Sequence, residues 1–432
     1  MRTLLLLTPF LAVGAAMLRA AGQPPATPLD ALARQYVQLV LALGVHDESY
    51  VDAYYGPPEW RTEAEGRKLD LAAIRAEAEQ LRAAVLAQPV PQEQLQALRR
   101  TYLARQLEAL LTRCEMLAGR KLGFDQESQA LYDAVSPEQT EEQFKQSLGE
   151  LERAMPGAGP LSERYEAYRK RFLIPNDKLD AVFRAAIDEC RRRTLPHVDL
   201  PEGESFVVEY VTGKPWSGYN WYKGGYHSVI QVNTDLPTSI DRAIDLACHE
   251  GYPGHHVYNA LLEQHLVRAR GYQEFSVYPL YSPQSLIAEG TANYGIEVAF
   301  PAQGRLDFER RVLFPLAGLD PDGALGYYKV QQLVERLGYA GTEAARRYLE
   351  GRLSADQAAR WLETYTLASP ARARQRLSFF DAYRSYVINY TLGLDLVRTY
   401  IERRGGTADQ PDKRWQEFKA LLASPRLPAD LK

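Results

Sequence analysis

The chain has 432 residues, 46% of them hydrophobic and 25% charged, so it can bury a large core as one helical domain or two. A formal charge of -4 gives no electrostatic footprint for nucleic acid or for an anionic membrane surface, and neither is expected as a partner. The three cysteines, Cys114, Cys190 and Cys248, allow at most one disulfide within the chain.

Met1-Arg2 followed by the mostly apolar run Thr3 to Leu18 and the small residues Ala20-Ala21-Gly22 has the form of a signal peptide over residues 1–22, which predicts a periplasmic or secreted protein. The run is short for a persistent membrane span, and no later stretch is long and apolar enough to be one, so no stable membrane insertion is expected after cleavage. Apolar residues then recur at helical spacing in three stripes, Leu29 to Leu41, Ile74 to Val85 and Leu95 to Leu110. Further helices are expected across 138–155, 161–173 and 177–193. The prolines at 196 and 201 frame a bridge between an N-terminal helical region, 27–198, and a second region, 199–432; the two can also form one integrated domain.

Ser205–Val211 and 226–233 are rich in β-branched and aromatic residues and predict short strands, separated by an aromatic, Gly-rich loop over 216–225. Val229–Asn233 is read either as an edge strand on which an extended peptide could pair or as part of a small sheet that only covers the helix. Thr238 or Ser239 can cap a helix that runs through Ile240 and Ala247 into His249.

The stretch Cys248-His249-Glu250-Gly251-Tyr252-Pro253-Gly254-His255-His256 holds three of the seven histidines. A catalytic zinc takes three protein ligands and leaves a position for water, whose proton a nearby carboxylate can accept. His249 as ligand and Glu250 as base fit that scheme. In an unbroken helix His256 would lie on the face of His249 but about 10.5 Å along the axis. Pro253 must interrupt the helix: if Pro253-Gly254 bulges outward, His255 takes the ligand place, and if the helix only bends, His256 does. Glu289, a charged residue on a helical face rich in Leu286, Ile287, Ala292 and Ile296 with Glu297 two turns further along, is the third ligand candidate. Tyr383, Tyr386 and Tyr390 would share one face of a helix over 378–403; Tyr390 is the candidate hydrogen-bond donor to a developing oxyanion, and Arg384 the candidate grip on a substrate carboxylate.

His249-Glu250-x-x-Pro253-Gly254-His255-His256, Glu289-Gly290-Thr291-Ala292-x-Tyr294 and Asn389-Tyr390-x-x-Gly393, with the early segment Tyr50 to Pro57, resemble the bacterial domain of unknown function 885 family of candidate metallopeptidases. Thr291 stands where many relatives carry Trp. The resemblance implies a mainly α, multi-helical, gluzincin-like metallopeptidase fold with a small β-sheet next to the metal-binding helix. The expectation is an exported zinc peptidase with a peptide substrate. Two rivals are a non-haem iron enzyme built on the same two histidines and carboxylate, and an exported binding protein without catalysis.

Overall fold

Residues 27–432 are described by the computed structural model; the expected signal peptide, 1–22, lies outside them. With 67% helix and 7% strand, the fold is mainly helical, and its few strands can only be fittings on a helical body. The amphipathic stripes appear as the helices Pro28–Gly44, Leu71–Ala87 and Gln94–Leu117. Glu141–Ala154, Leu161–Arg169 and Leu179–Thr194 follow where helical spacing placed them. The chain states its own starts: Thr140 accepts from the backbone N–H of Gln143, whose side chain reaches back to the N–H of Thr140. No helix among the described residues is long and apolar enough to cross a membrane.

Among the described residues, five short strands make two sheets. β1 (Val51–Tyr54) pairs antiparallel with β5 (Val277–Pro279), so an early segment is stitched to one more than 200 residues later. β2 (Ser205–Val211), β3 (Gly218–Gly224) and β4 (His227–Asn233) form the other sheet in the order β2-β4-β3, with β2 parallel and β3 antiparallel to β4.

Two expectations change here. The aromatic, Gly-rich stretch 216–225 is not a loop: most of it is β3, whose Trp221 and Tyr222 pair across to Val229 and Ser228. Val229–Asn233 is not an edge either, because β4 is hydrogen-bonded on both sides and has no free backbone to offer a peptide.

Two buried clusters carry the packing. One joins Val37, Leu107 and Tyr132 to Leu286, Phe380 and Val387; the other joins Val182 and Phe183 to Ile244, Val257, Ile287 and Phe418. Each draws on both sides of residue 199, so the regions 27–198 and 199–432 share their cores. Deep in this shared interior, Arg99 donates to both oxygens of Glu274, with both side chains fully excluded from solvent. The buried thiols of Cys190 and Cys248 lie 2.8 Å apart, which sets the helix Leu179–Thr194 against the turn that carries His249.

Candidate metal centre

The helix Asp241–Leu246 widens over Ala247–Gly251 into i→i-5 bonding and then stops. Pro253 has no N–H to continue it. Gly254 instead folds back to donate to the Cys248 carbonyl at 2.9 Å, in a place where any Cβ would lie 1.9 Å from the His249 carbonyl oxygen. A new helix, His255–Leu262, begins at once, so His255 sits at its first turn facing His249. The two imidazoles meet edge to face with centroids 4.7 Å apart.

Glu289 completes the group from the helix Pro283–Ala299. Its Oε2 lies 3.2 Å from Nε2 of His249 and 3.7 Å from Nε2 of His255, and one atom from each of the three residues falls within 4.8 Å of the others. The 3.2 Å separation is within reach of a shared proton, while the 3.7 Å one is beyond hydrogen-bond range and leaves room between the three atoms.

Two of the three candidate ligands, His249 and Glu289, are oriented from behind. Asn293, one turn after Glu289, gives its amide N–H to the Tyr390 carbonyl, so its oxygen must accept from Nδ1–H of His249 at 3.1 Å. That leaves Nε2 of His249 with its lone pair toward Glu289. The other oxygen of Glu289 accepts from the Tyr386 hydroxyl at 2.7 Å, whereas Oε2 is buried with no hydrogen-bond partner. An orphaned carboxylate oxygen aimed at two imidazole nitrogens suits a divalent cation, and two nitrogens with one oxygen is a donor set that zinc accepts. The residues present therefore fit a metal ion.

The charges agree. Burial works against ionisation of Glu289, but His249 and His255 outweigh it and hold its carboxyl far below the usual range. Burial would lower the His255 pKa, yet Glu289, then Glu250 and Asp52, push it up to about 9. The field that favours a proton on His255 equally favours a metal cation.

A cavity of about 340 Å³ opens on this group. Glu250 lines it, with burial raising its carboxyl above the ordinary range. The Glu250 backbone is anchored by Asn220 of β3 at 2.7 Å, and its carboxyl lies against Gly218, where a Cβ would come within 2.9 Å of Oε1. Asp52 reaches the cavity from β1 and accepts a hydrogen bond from Tyr219; burial brings it up to about 6, against the pull of Tyr219 and His255.

The remaining expected site residues divide. Tyr390 lines the cavity beside His249, their rings stacked with centroids 6.5 Å apart, and its hydroxyl has no hydrogen-bond partner among the described residues. His256 is not with the ligands: its ring donates from Nε2 to Glu204 at 3.0 Å and accepts from Ser228 at Nδ1. His255 and His256 are consecutive on a helix and must point about 100° apart, so only one can face the cavity.

Arg384 does not grip a substrate. It lies outside the cavity, where its Nε donates to Glu127 at 2.7 Å. Glu127 also accepts from the N–H and hydroxyl of Ser385, and this pull ends the helix Pro370–Tyr383 with Arg384 at φ 51°. The expected single helix over 378–403 is thus two, the second being Ile388–Arg403, joined by a tight turn over Arg384–Val387. Tyr383, Tyr386 and Tyr390 all reach the cavity nonetheless, because the turn re-aims them. Sequence reading passed over Asn293, although it stands at i+4 from Glu289, and over Asp52 and the arginines Arg242, Arg372 and Arg376, which no local motif marks.

No family model and no curated protein matches this chain. The fold is shared with a solved structure described as "putative lipoprotein from Colwellia psychrerythraea", at TM-score 0.51 and 16% identity over 95% of this chain and 76% of that one. A "putative lipoprotein of unknown function" from Shewanella oneidensis is similar at TM-score 0.46 and 13% identity, over 94% of this chain and 83% of that one.

Proposed function

We propose that this protein is an exported zinc-dependent peptidase of the family 885 type, acting on short peptides or chain ends. The observation that carries the reading is the unpartnered, buried Oε2 of Glu289 converging with Nε2 of His249 and His255 while the Glu250 carboxyl stands in the same cavity.

His249, His255 and Glu289 would hold the ion. Bound zinc supplies Lewis acidity, which brings the pKa of water toward neutrality and polarises a peptide carbonyl. Glu250, whose burial raises its proton affinity, takes a proton from water and returns it to the leaving amine. Tyr390 offers a free phenol to the oxygen on which charge develops. Asn293 and Tyr386 hold the ligands in register. Export to the periplasm or medium rests on the signal-like residues 1–22 and agrees with the description of the Colwellia protein as a lipoprotein.

Metal analysis of protein purified without added metal, joined to mass-spectrometric cleavage of a mixed peptide library, tests the reading. About one zinc per chain with cleavage that a chelator stops is the expected result. Iron as the resident metal without hydrolysis would replace it by the oxygenase reading, against which the placement of Glu250 counts.

A further inference from the structure

Beyond the metal group, one wall of the same cavity is built of guanidinium groups. Arg372 and Arg376 lie four apart on the helix Pro370–Tyr383 and line the cavity together, with Arg242 facing them from the helix Asp241–Leu246. Arg376 is placed by the rings of Phe379 and Phe380, 5.4 and 5.7 Å from its carbon. Neither Arg372 nor Arg376 has a carboxylate partner among the described residues. The nearby acids are engaged elsewhere: Asp245 lies between Arg242 at 3.2 Å and Arg305 at 2.9 Å, and Asp241 accepts from Tyr327 at 2.7 Å. Burial first, then Arg169, Arg242 and Arg376, lower the Arg372 pKa to about 10 against the opposing pull of Asp241.

Such charge is costly without an anion, and paired forks on one helix face match the two oxygens of a carboxylate. Arg372 and Arg376 also line a second cavity of about 320 Å³, so they stand between the two spaces.

We infer that Arg372 and Arg376, assisted by Arg242, form a subsite for a substrate carboxylate, which makes the protein select peptides that present a free C-terminal carboxylate within reach of the metal group. The inference deepens the peptidase reading and rests on it for the direction of entry. The same guanidinium pair would also take an acidic side chain.

Equilibrium dialysis of the zinc-loaded Glu250→Gln protein against a randomised N-acetylated tetrapeptide pool, in free-acid and C-terminally amidated forms, separates these cases. Free acids should be retained roughly ten- to a hundredfold over amides, the usual size for a charge-assisted bond. Because a carboxylate can also bind zinc, the preference must collapse in Arg372→Met and Arg376→Met, with retention of the amide pool unchanged as the check on folding. It must persist in Arg374→Met, an exposed position on the same helix. Retention confined to amidated members that carry Asp or Glu would keep the carboxylate subsite and assign it to a side chain. Equal retention of acids and amides, or a preference that survives both variants, overturns the proposal. Absence of peptide cleavage by the wild-type protein beside an intact acid preference would overturn the peptidase reading and leave this subsite standing.

Discussion

On the proposed reading Glu250 and the two tyrosines near Glu289 have different roles, which single substitutions separate. Glu250→Gln leaves every ligand atom in place while removing the proton acceptor, so zinc content should hold while turnover falls by about 10²- to 10⁴-fold. Loss of zinc in that variant would mean that Glu250 is a ligand. Tyr386→Phe deletes the hydrogen bond on Glu289 and should weaken zinc by about 10- to 100-fold, whereas Tyr390→Phe should keep zinc and lower turnover by roughly 10²- to 10³-fold. Titration with a competing chelator distinguishes the pair. Glu204 adds a signature in stability. Burial opposes its charge, but hydrogen bonds from His256, Tyr252 and Arg191 outweigh it and hold its carboxyl at about 2. A carboxylate depressed in the folded state contributes stability that is full above its unfolded value near 4.5 and is lost as pH falls toward 2. The melting temperature of Glu204→Gln should therefore lie below that of wild type at pH 6, with the gap closing as pH drops through this window.

At the scale of elements, the centre depends on how closely two helices meet. Gly290 and Gly393 face each other where Pro283–Ala299 crosses Ile388–Arg403, and a Cβ on Gly290 would fall 2.4 Å from the Gly393 carbonyl oxygen. Gly290→Ala must push the helices apart, separating Glu289 from Tyr386; about 1–3 kcal/mol of stability and part of the zinc affinity should go with it. Denaturant unfolding with and without chelator measures both. Gly393 could be read from the sequence as a point of close approach, as could the helix faces and the break at Pro253, because each is a local property of residue type and spacing. His255 against His256 could not be decided that way, since it turns on whether the chain bulges or bends, and Gly254 pressed against the His249 carbonyl is what settles it. β3 was hidden because the glycines at 218, 224 and 225 carry turn signals that outweigh its aromatics, while its pairing partner lies in the following strand. The break at Arg384 has no proline or glycine to announce it; Glu127, 257 residues earlier, causes it. Asp52 and the arginine wall were illegible for the same reason, as periodicity says which face a residue occupies and nothing of the cavity that face will meet.

For the molecule as a whole, distant parts of the chain are bound into one body by contacts that span it. Arg99 is the clearest: it joins Gln94–Leu117 to Glu274 just ahead of β5, and through β5 to β1 and Asp52. Arg99→Met leaves Glu274 buried and uncompensated, and should cost about 3–5 kcal/mol in global unfolding, read as a single transition because both cores are shared. Two separate transitions, with the loss confined to one, would show that the regions unfold independently.

The glycine seam between the helices of Glu289 and Tyr390 divides the cavity into a wall that cannot drift and walls that can. Substitutions at the seam break the centre before they can tune it. Trp216, just ahead of β3, Tyr219 on it, and the helix face that bears Arg372, Gln375 and Arg376 border the same space. Natural divergence and laboratory libraries should thus find new substrate preferences along β3 and that helix face, while the seam stays silent under selection.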